Sequence, residues 1–373
     1  MTSLKQIFFR IILLANICCA LILIISNFAV FLDPFKWWPF ALAGIAFPLL
    51  LVSTVFFLIF WLFFRSKKVF VSLVAIFLSL LNIFSTFSFN RPLIFKEKKE
   101  KNNIRVVTWN VGLMNYTAKD SSTASFNNAI IFKKLKETDA DVICLQEFLT
   151  SLVPGHYCNL LDSITQTLHY PYHYFSKDFT LFSGSFASGS IIFSKYNILD
   201  TQKIIYPKPF PGSVIKASII IEKDTIDVVT TRLQPLQFQS SEYKELNNMK
   251  KGKDSAFTGT KNIIQKLRFG YKKRVEQIDI VKQLINKSTR PLIFTGDLND
   301  VPVSYTYYNV KNNMHDSWIK KGSGLGRTFI YISPTLRIDQ LFFNDYFDIK
   351  QVKRLFADQA SDHHAVVADL YLK

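Results

Sequence analysis

Five short segments carry side chains suited to one kind of chemistry: Thr108-Trp109-Asn110, Leu145-Gln146-Glu147, Gly296-Asp297-Leu298-Asn299-Asp300, Arg337-Ile338-Asp339 and Ser361-Asp362-His363-His364. Each ends or interrupts a hydrophobic run of strand character and sets a carboxylate, carboxamide or imidazole just past it. Together they offer hard oxygen ligands for a cation such as Mg²⁺, an oxygen base for a water, and an imidazole for a phosphate. That is the inventory of metal-assisted phosphodiester hydrolysis.

Asp297 and Asn299 follow the apolar strand Leu292–Phe294. On an extended segment, residues two apart point the same way, so a carboxylate and a carboxamide converge on one pocket. Glu147 ends the run that starts at Asp141, and Asn110 ends Val106–Trp109 in the same fashion. Asp362 and His363 precede the apolar run Ala365–Ala368, and Asp339 is a candidate to fix the His363 tautomer. Any one of these alone equally fits an Asx turn, a solvated strand end or a helix cap. Their joint occurrence, in this order, carries the weight.

The order Trp-Asn, Gln-Glu, Gly-Asp-x-Asn, Ile-Asp and Ser-Asp-His resembles the endonuclease/exonuclease/phosphatase superfamily with its deoxyribonuclease-I-like fold. The string Ala187–Lys195 also resembles that family's central small-residue strand, and the likeness runs from about Ile104 to Lys373. It implies an α+β, four-layer α/β/β/α sandwich. By motif position, Asn110, Glu147 and Asp362 resemble the metal-side residues, with Mg²⁺ as the ion or Mn²⁺ in its place. Asp297 resembles the water-activating acid and Asn299 its partner; Asp339 resembles the residue that orients the phosphate-binding His363. One departure stands out. Where many members carry Thr-His-Leu or Val-His-Leu after a strand, this chain reads Thr231-Arg232-Leu233-Gln234. Arginine stays protonated and cannot shuttle a proton, but it can clamp a phosphate. Arg232 is therefore expected to act electrostatically, unless His156, His169, His173 or His315 supplies the second imidazole.

These residues need a scaffold. Strand-like runs lie at Arg105–Trp109, Val142–Leu145, Gly189–Phe193, Val214–Ile221, Ile226–Thr231, Leu292–Thr295, Gln340–Phe343 and about Ala365–Leu372. Helical spacing of apolar residues appears over Phe126–Glu137 and Ile263–Asn286. Strands outnumber helices and most intervals are too poor in helix for βαβ crossovers, which favours a largely antiparallel α+β domain. The Lys- and Asn-rich stretch Glu242–Lys261 reads as a mobile insertion.

The N-terminal part is different in kind. The chain has 373 residues, 49% hydrophobic, and the apolar excess is at its start. Ile11–Leu32, Trp37–Phe64 and Val69–Phe89 carry no charged side chain and are long enough to span a bilayer as helices. The expected organisation is a transmembrane anchor over 1–90, a charged linker over 91–103 and the catalytic domain over 104–373. The absence of charge within the runs argues against an ion pathway and for an anchor. The basic turn Arg65–Lys68, with Lys5 and Arg10, is expected inside. That makes the chain a multi-pass integral membrane protein with an extracytoplasmic catalytic domain. The net charge is +17, and the first 103 residues hold 11 basic and 3 acidic residues, leaving 34 and 25 beyond. The C-terminal part is thus basic by itself, which suits phosphate-bearing partners such as nucleic acid or phospholipid. The four cysteines show neither zinc spacing nor a disulfide framework. The leading expectation is a nuclease-like phosphodiesterase. The alternatives are a lipid or small-molecule phosphodiesterase, and a membrane-tethered binding domain that has lost turnover.

Overall fold

The computed structural model describes residues 4–115, 120–153, 158–209, 211–235, 256–331 and 333–373. The chain divides into two compact units, one of residues 1–87, 236–275 and 300–308, the other of residues 88–235, 276–299 and 309–373.

The larger unit is built on strands β1 (Ile104–Asn110), β2 (Val142–Ser151), β3 (Tyr172–Phe175), β4 (Phe179–Leu181), β5 (Phe186–Ser194), β6 (Ile198–Ile205), β7 (Ser213–Ile221), β8 (Asp224–Arg232), β9 (Leu292–Asp297), β10 (His315–Asp316), β11 (Asp339–Phe343), β12 (Phe347–Leu355) and β13 (Ala365–Leu372). They form two sheets, ordered β12-β13-β1-β2-β5-β3 with β4 on β5, and β10-β11-β9-β8-β7-β6. Alternation sorts the side chains. Val106, Cys144 and Ile192 of the first sheet share one buried cluster with Ala217, Val228, Ile293 and Leu341 of the second. Val107, Ile143, Leu145 and Phe193 face the other way, onto Ile131, Leu135 and Ile164 of the outer helices Ser121–Thr138 and Leu160–Thr167. The result is the α+β, deoxyribonuclease-I-like sandwich. Each sheet holds one parallel pair, β1 with β2 and β8 with β9; the other pairings are antiparallel. Carboxyl ends of parallel strands and the starts of antiparallel neighbours thus meet along one edge of the sandwich.

The sequence reading located every central strand and none of the sheet edges. β12 and β3 bound the first sheet, β6 and β10 the second. Edge strands face water on one side and carry polar residues there, so the apolar signal is diluted; β6 reads Ile-Leu-Asp-Thr-Gln-Lys-Ile-Ile. β2 also runs on past Leu145 to Ser151. Residues 91–103, expected as a linker, are laced to the domain. Lys96 N donates to Gln351 Oε1 (2.9 Å), Gln351 Nε2 returns a bond to Lys96 O (3.0 Å), and Lys99 pairs with Asp141 (2.5 Å). The expected insertion Glu242–Lys261 lies outside the described residues up to 255, and its last residues open the helix Ala256–Asn286.

In the smaller unit, helices Leu4–Ser26 and Trp38–Phe63 come from the first two apolar runs, with Pro48 inside the second. Both are long and apolar enough to cross a membrane. The third run is two helices, Val69–Leu78 and Leu80–Thr86, bent by 64° at Ser79. It counts as a span only if the bent pair acts as one. Buried and half-buried polar side chains tie the bundle together: Ser72 Oγ donates to Asn16 Oδ1 (2.8 Å), Asn27 Nδ2 to Ser79 Oγ (2.9 Å), and Asn82 Nδ2 to Asn27 Oδ1 (2.9 Å). Val303 is buried among Ala29, Val30 and Phe47, and Gly44 must be glycine because a Cβ there would lie 2.2 Å from Val303 O.

Candidate functional site

Three neighbouring strands of the second sheet place charged residues side by side. Arg232, the last residue of β8, is in register with Asp297, the last of β9, and Asp297 is directly opposite Asp339, the first of β11. The turn into this row depends on Gly296, whose Cβ would meet Thr231 O at 2.3 Å. Past Asp297 the backbone does not continue extended. Asn299 has φ +50°, its N–H donates to Asp297 Oδ1 (2.8 Å), and its Nδ2 donates to Leu233 O (2.8 Å) and Asp297 Oδ2 (3.1 Å). The two side chains converge, but through an Asx turn instead of strand alternation.

The first sheet supplies the facing half. Asn110 ends β1 on the inner face, and its Nδ2 donates to both Glu147 Oε1 (3.0 Å) and Asp297 Oδ2 (3.0 Å). Its Oδ1 accepts from Gly112 N (3.1 Å), so Asn110 bridges two carboxylates here. Glu147 is not at a strand end, as expected, but in a β-bulge inside β2, with φ +53°. Leu145 and Phe148 both enter the outer core although three residues apart, so the extra residue frees Glu147 from the face it would otherwise share with Leu145. Just before β13, Ser361 Oγ donates to Asn110 O (2.7 Å) and accepts from His363 N (3.1 Å). Trp109 Nε1 holds His363 O (2.8 Å). The His363 imidazole meets Asp339 Oδ2 through Nδ1 (2.8 Å), leaving Nε2 3.9 Å from Asp362 Oδ1. One oxygen each of Asp297 and Asp339 and one ring nitrogen of His363 lie within 4.8 Å of one another.

Burial pushes the Asp297 carboxyl up to about 6, aided by the Asp339 charge and resisted by His363 and Arg232. Burial alone would lower His363, but Asp339 outweighs it and lifts the imidazole to about 10. Glu147 falls below its ordinary range: burial raises it, and Arg232 and the Asn110 bond more than compensate. Burial raises Asp362, with Glu147 contributing. Arg232 Nε is 2.8 Å from Glu147 Oε1 and 3.8 Å from Asp297 Oδ2, yet its N–H is aligned with no acceptor among the described residues. It forms an ion pair without a directed hydrogen bond.

The donor set fits a hard divalent cation. Glu147, Asp297, Asp339 and Asp362 outnumber the cationic Arg232 and His363, and all offer oxygen. Asp339 Oδ1 is buried with no donor among the described residues.

The fold therefore gathers Asn110, Glu147, Arg232, Asp297, Asn299, Asp339, Asp362 and His363 into one cluster. It engages other histidines elsewhere: His315 pairs with Asp345 (2.7 Å) and His173 lies on β3 against Phe193. His156 lies outside the described residues. Sequence reasoning assigned no role to Gln146, whose Nε2 donates to Thr230 Oγ1 (2.9 Å) and Thr108 Oγ1 (3.1 Å), joining the two sheets beneath the site. Its signal was parity, since Val142, Cys144 and Gln146 share the inner face. Thr328, whose Oγ1 accepts from Asp339 N (3.1 Å), and Phe329, whose ring is 5.0 Å from His363, carried no signal of their own.

The chain's fold recurs in solved structures. An endonuclease/exonuclease/phosphatase from Beutenbergia cavernae is 19% identical, with 73% of this chain and 72% of that one covered and a TM-score of 0.53. The human nocturnin catalytic domain with bound sulfate is 15% identical, with 73% and 94% covered and a TM-score of 0.53. D. rerio TDP2 complexed with a single-strand DNA product is 15% identical, with 72% and 99% covered and a TM-score of 0.50. Among curated proteins, none matches. Residues 9–86 match a family described as a domain of unknown function (DUF8431). Residues 107–363, more than half the chain, match the Endonuclease/Exonuclease/phosphatase family. The chain thus belongs to that family and is a metal-dependent phosphoric ester hydrolase of its type.

Proposed function

We propose that the chain is a membrane-anchored, Mg²⁺-dependent phosphodiesterase with nuclease-like specificity. The observation that carries the reading is the in-register row Arg232, Asp297 and Asp339, closed by His363. Glu147 and Asp362 would hold the cation, with Asn110 fixing Glu147. When bound, the cation supplies Lewis-acid polarisation of a phosphoryl oxygen. Asp297, raised by burial, accepts the proton of the attacking water. Asn299, whose Nδ2 is committed to Leu233 O and Asp297, turns its carbonyl oxygen to orient that water. His363, kept protonated by Asp339, donates from Nε2 to the phosphate. Arg232 adds positive charge where the pentavalent phosphorus builds negative charge.

The basic C-terminal part and the DNA product in the TDP2 structure support nucleic acid as substrate. The apolar helices support a lipid phosphodiester as the second reading. In the smaller unit, Phe35 lies under Arg268 (5.8 Å) and Lys272 (5.5 Å), and Phe31 packs on Tyr308 (5.4 Å). The reading takes the bent pair Val69–Leu78 and Leu80–Thr86 as one further crossing. With Arg65–Lys68 inside, the catalytic domain is extracytoplasmic. Plasmid DNA, RNA, sphingomyelin and phosphoinositides, assayed with Mg²⁺ against EDTA and with Asp297→Ala as control, test the reading. It requires EDTA-sensitive turnover lowered by about 10² or more in the variant. Equal activity of variant and wild type removes Asp297 as base.

A further inference from the structure

Beside His363 the chain builds a second cationic patch that the proposed mechanism does not use. The segment after Gly326 runs antiparallel to the His363 segment: His364 N donates to Thr328 O (2.8 Å), Ile330 N to Asp362 O (3.0 Å), and Phe329 forms a bridge with His363. Arg327 opens this segment. Its guanidinium curls back onto Phe329 O and Ile330 O. Arg354, near the end of β12, donates from Nη1 to Arg327 O (2.5 Å). Its guanidinium lies 5.2 Å from the Phe356 ring and 5.7 Å from the Trp318 ring.

Neither Arg327 nor Arg354 has a carboxylate partner among the described residues, whereas Arg105 and Arg337 are each paired with a buried aspartate. Arg354 Nε is buried with no acceptor among the described residues. Two guanidiniums without a counter-charge repel, and burial followed by the Arg327 charge pushes Arg354 below its ordinary value. A buried, unpaired donor on a cation is costly unless an anion completes it. Phe356, beside this guanidinium, and Tyr331, which packs on Phe329 (5.9 Å), leave more than half their surface in water (55% and 59%). Exposed aromatic faces interleaved with arginines form a stacking platform for unpaired bases.

We propose that Arg327 and Arg354 bind a second phosphate of the substrate, adjoining the one at His363, and that Phe356 and Tyr331 stack the neighbouring base. The favoured substrate class is short single-stranded nucleic acid. This rests on the phosphodiesterase reading above. The polyol of a phosphorylated lipid headgroup offers no π face to those rings, which is why nucleic acid is preferred over it.

The test uses the full chain in detergent with Mg²⁺, as wild type, Arg354→Gln, Arg354→Lys and Phe356→Ala. The substrates are bis(p-nitrophenyl) phosphate, which has one phosphorus, a single-stranded tetranucleotide, and a phosphoinositide bisphosphate in mixed micelles. Arg354→Gln should raise KM for the tetranucleotide about tenfold more than for bis(p-nitrophenyl) phosphate. It should also make the salt dependence shallower by about 0.7 in log–log slope. Arg354→Lys should recover part of the loss, and Phe356→Ala should weaken only the tetranucleotide. Equal losses on both substrates, or none, overturn the subsite and leave Arg354 a packing residue. A loss confined to the phosphoinositide overturns the nucleic-acid assignment. If wild type hydrolyses nothing, the phosphodiesterase reading fails. The subsite is then judged by anisotropy of a fluorescein-labelled tetranucleotide: it stands if Arg354→Gln weakens binding about tenfold and falls if binding is unchanged.

Discussion

Strands β1 and β13 carry buried charge at both ends, and the two ends differ. At one end Arg105 and Asp369 lie directly opposite each other. Arg105 binds Asp369 through Nε (2.6 Å) and Nη2 (2.9 Å) and uses its other donors on Glu97 O, Thr138 O and Lys96 O; Gln351 completes Asp369 (2.8 Å). At the other end, Asn110 and His363 face a cluster in which carboxylates outnumber cations, Asp339 Oδ1 has no donor among the described residues, and Glu147 and Asn299 hold positive φ. The first arrangement is complete by itself. The second holds carboxylates in excess of cations, with the like-charge repulsion and backbone strain that this brings. Buried charge alone therefore does not mark a site; unfinished pairing does.

The comparison makes opposite predictions for stability and rate. Arg105→Met strands Asp369 in the core and should lower unfolding stability by about 3–5 kcal/mol, read by thermal or denaturant unfolding. Turnover per folded molecule should be unaffected. Asp297→Asn should do the reverse: turnover falls by about 10² or more, while the unfolding temperature holds or rises because one of two adjacent buried carboxylates is gone. A loss of stability in Asp297→Asn as large as that of Arg105→Met would erase the distinction.

The same contrast separates what the sequence could reveal from what it could not. All eight strands read from apolar runs exist, because central strands are buried on both faces and leave an unbroken hydrophobic record. Edge strands such as β6 and β12 alternate with lysine, aspartate and glutamine and leave none. At the site, residue identity was legible and local geometry was not. Glu147 has no glycine beside it to signal a bulge, and Asn299 meets Asp297 through a left-handed turn, where strand periodicity does not apply. The complete pair Arg105–Asp369 was invisible for another reason: its partners are 264 residues apart in the chain and each lies in an apolar run.

A pH profile sharpens the comparison further. Asp297 must be ionised to accept a proton, so the rate should fall as pH drops through about 6. His363 must stay protonated, so the rate should fall again as pH rises through about 10. The Asp339 charge raises both groups. Asp339→Asn should therefore move both limbs to lower pH, with a smaller loss of rate near neutrality than Asp297→Asn. A profile in which only one limb moves would show that Asp339 does not couple the two.

Arg232 tests the smallest effect, the worth of an unfinished pair. Its side chain is about one-third exposed (35%), and its Nε is aligned with neither Glu147 nor Asp297. Water screens much of its charge, so Arg232→Gln should cost little stability. If the fork redirects to the phosphate, kcat/KM should drop about tenfold, with the loss in kcat because the charge it meets develops in the transition state. Arg232→Lys keeps the charge without the fork and should fall between. If Arg232 only neutralises Glu147, Lys should restore the full rate. The glutamine variant should then lose rate only through weaker control of Glu147, seen as a changed requirement for Mg²⁺ with kcat at saturating Mg²⁺ intact. The two outcomes place Arg232 with the unfinished cluster or with the self-sufficient pairs typified by Arg105.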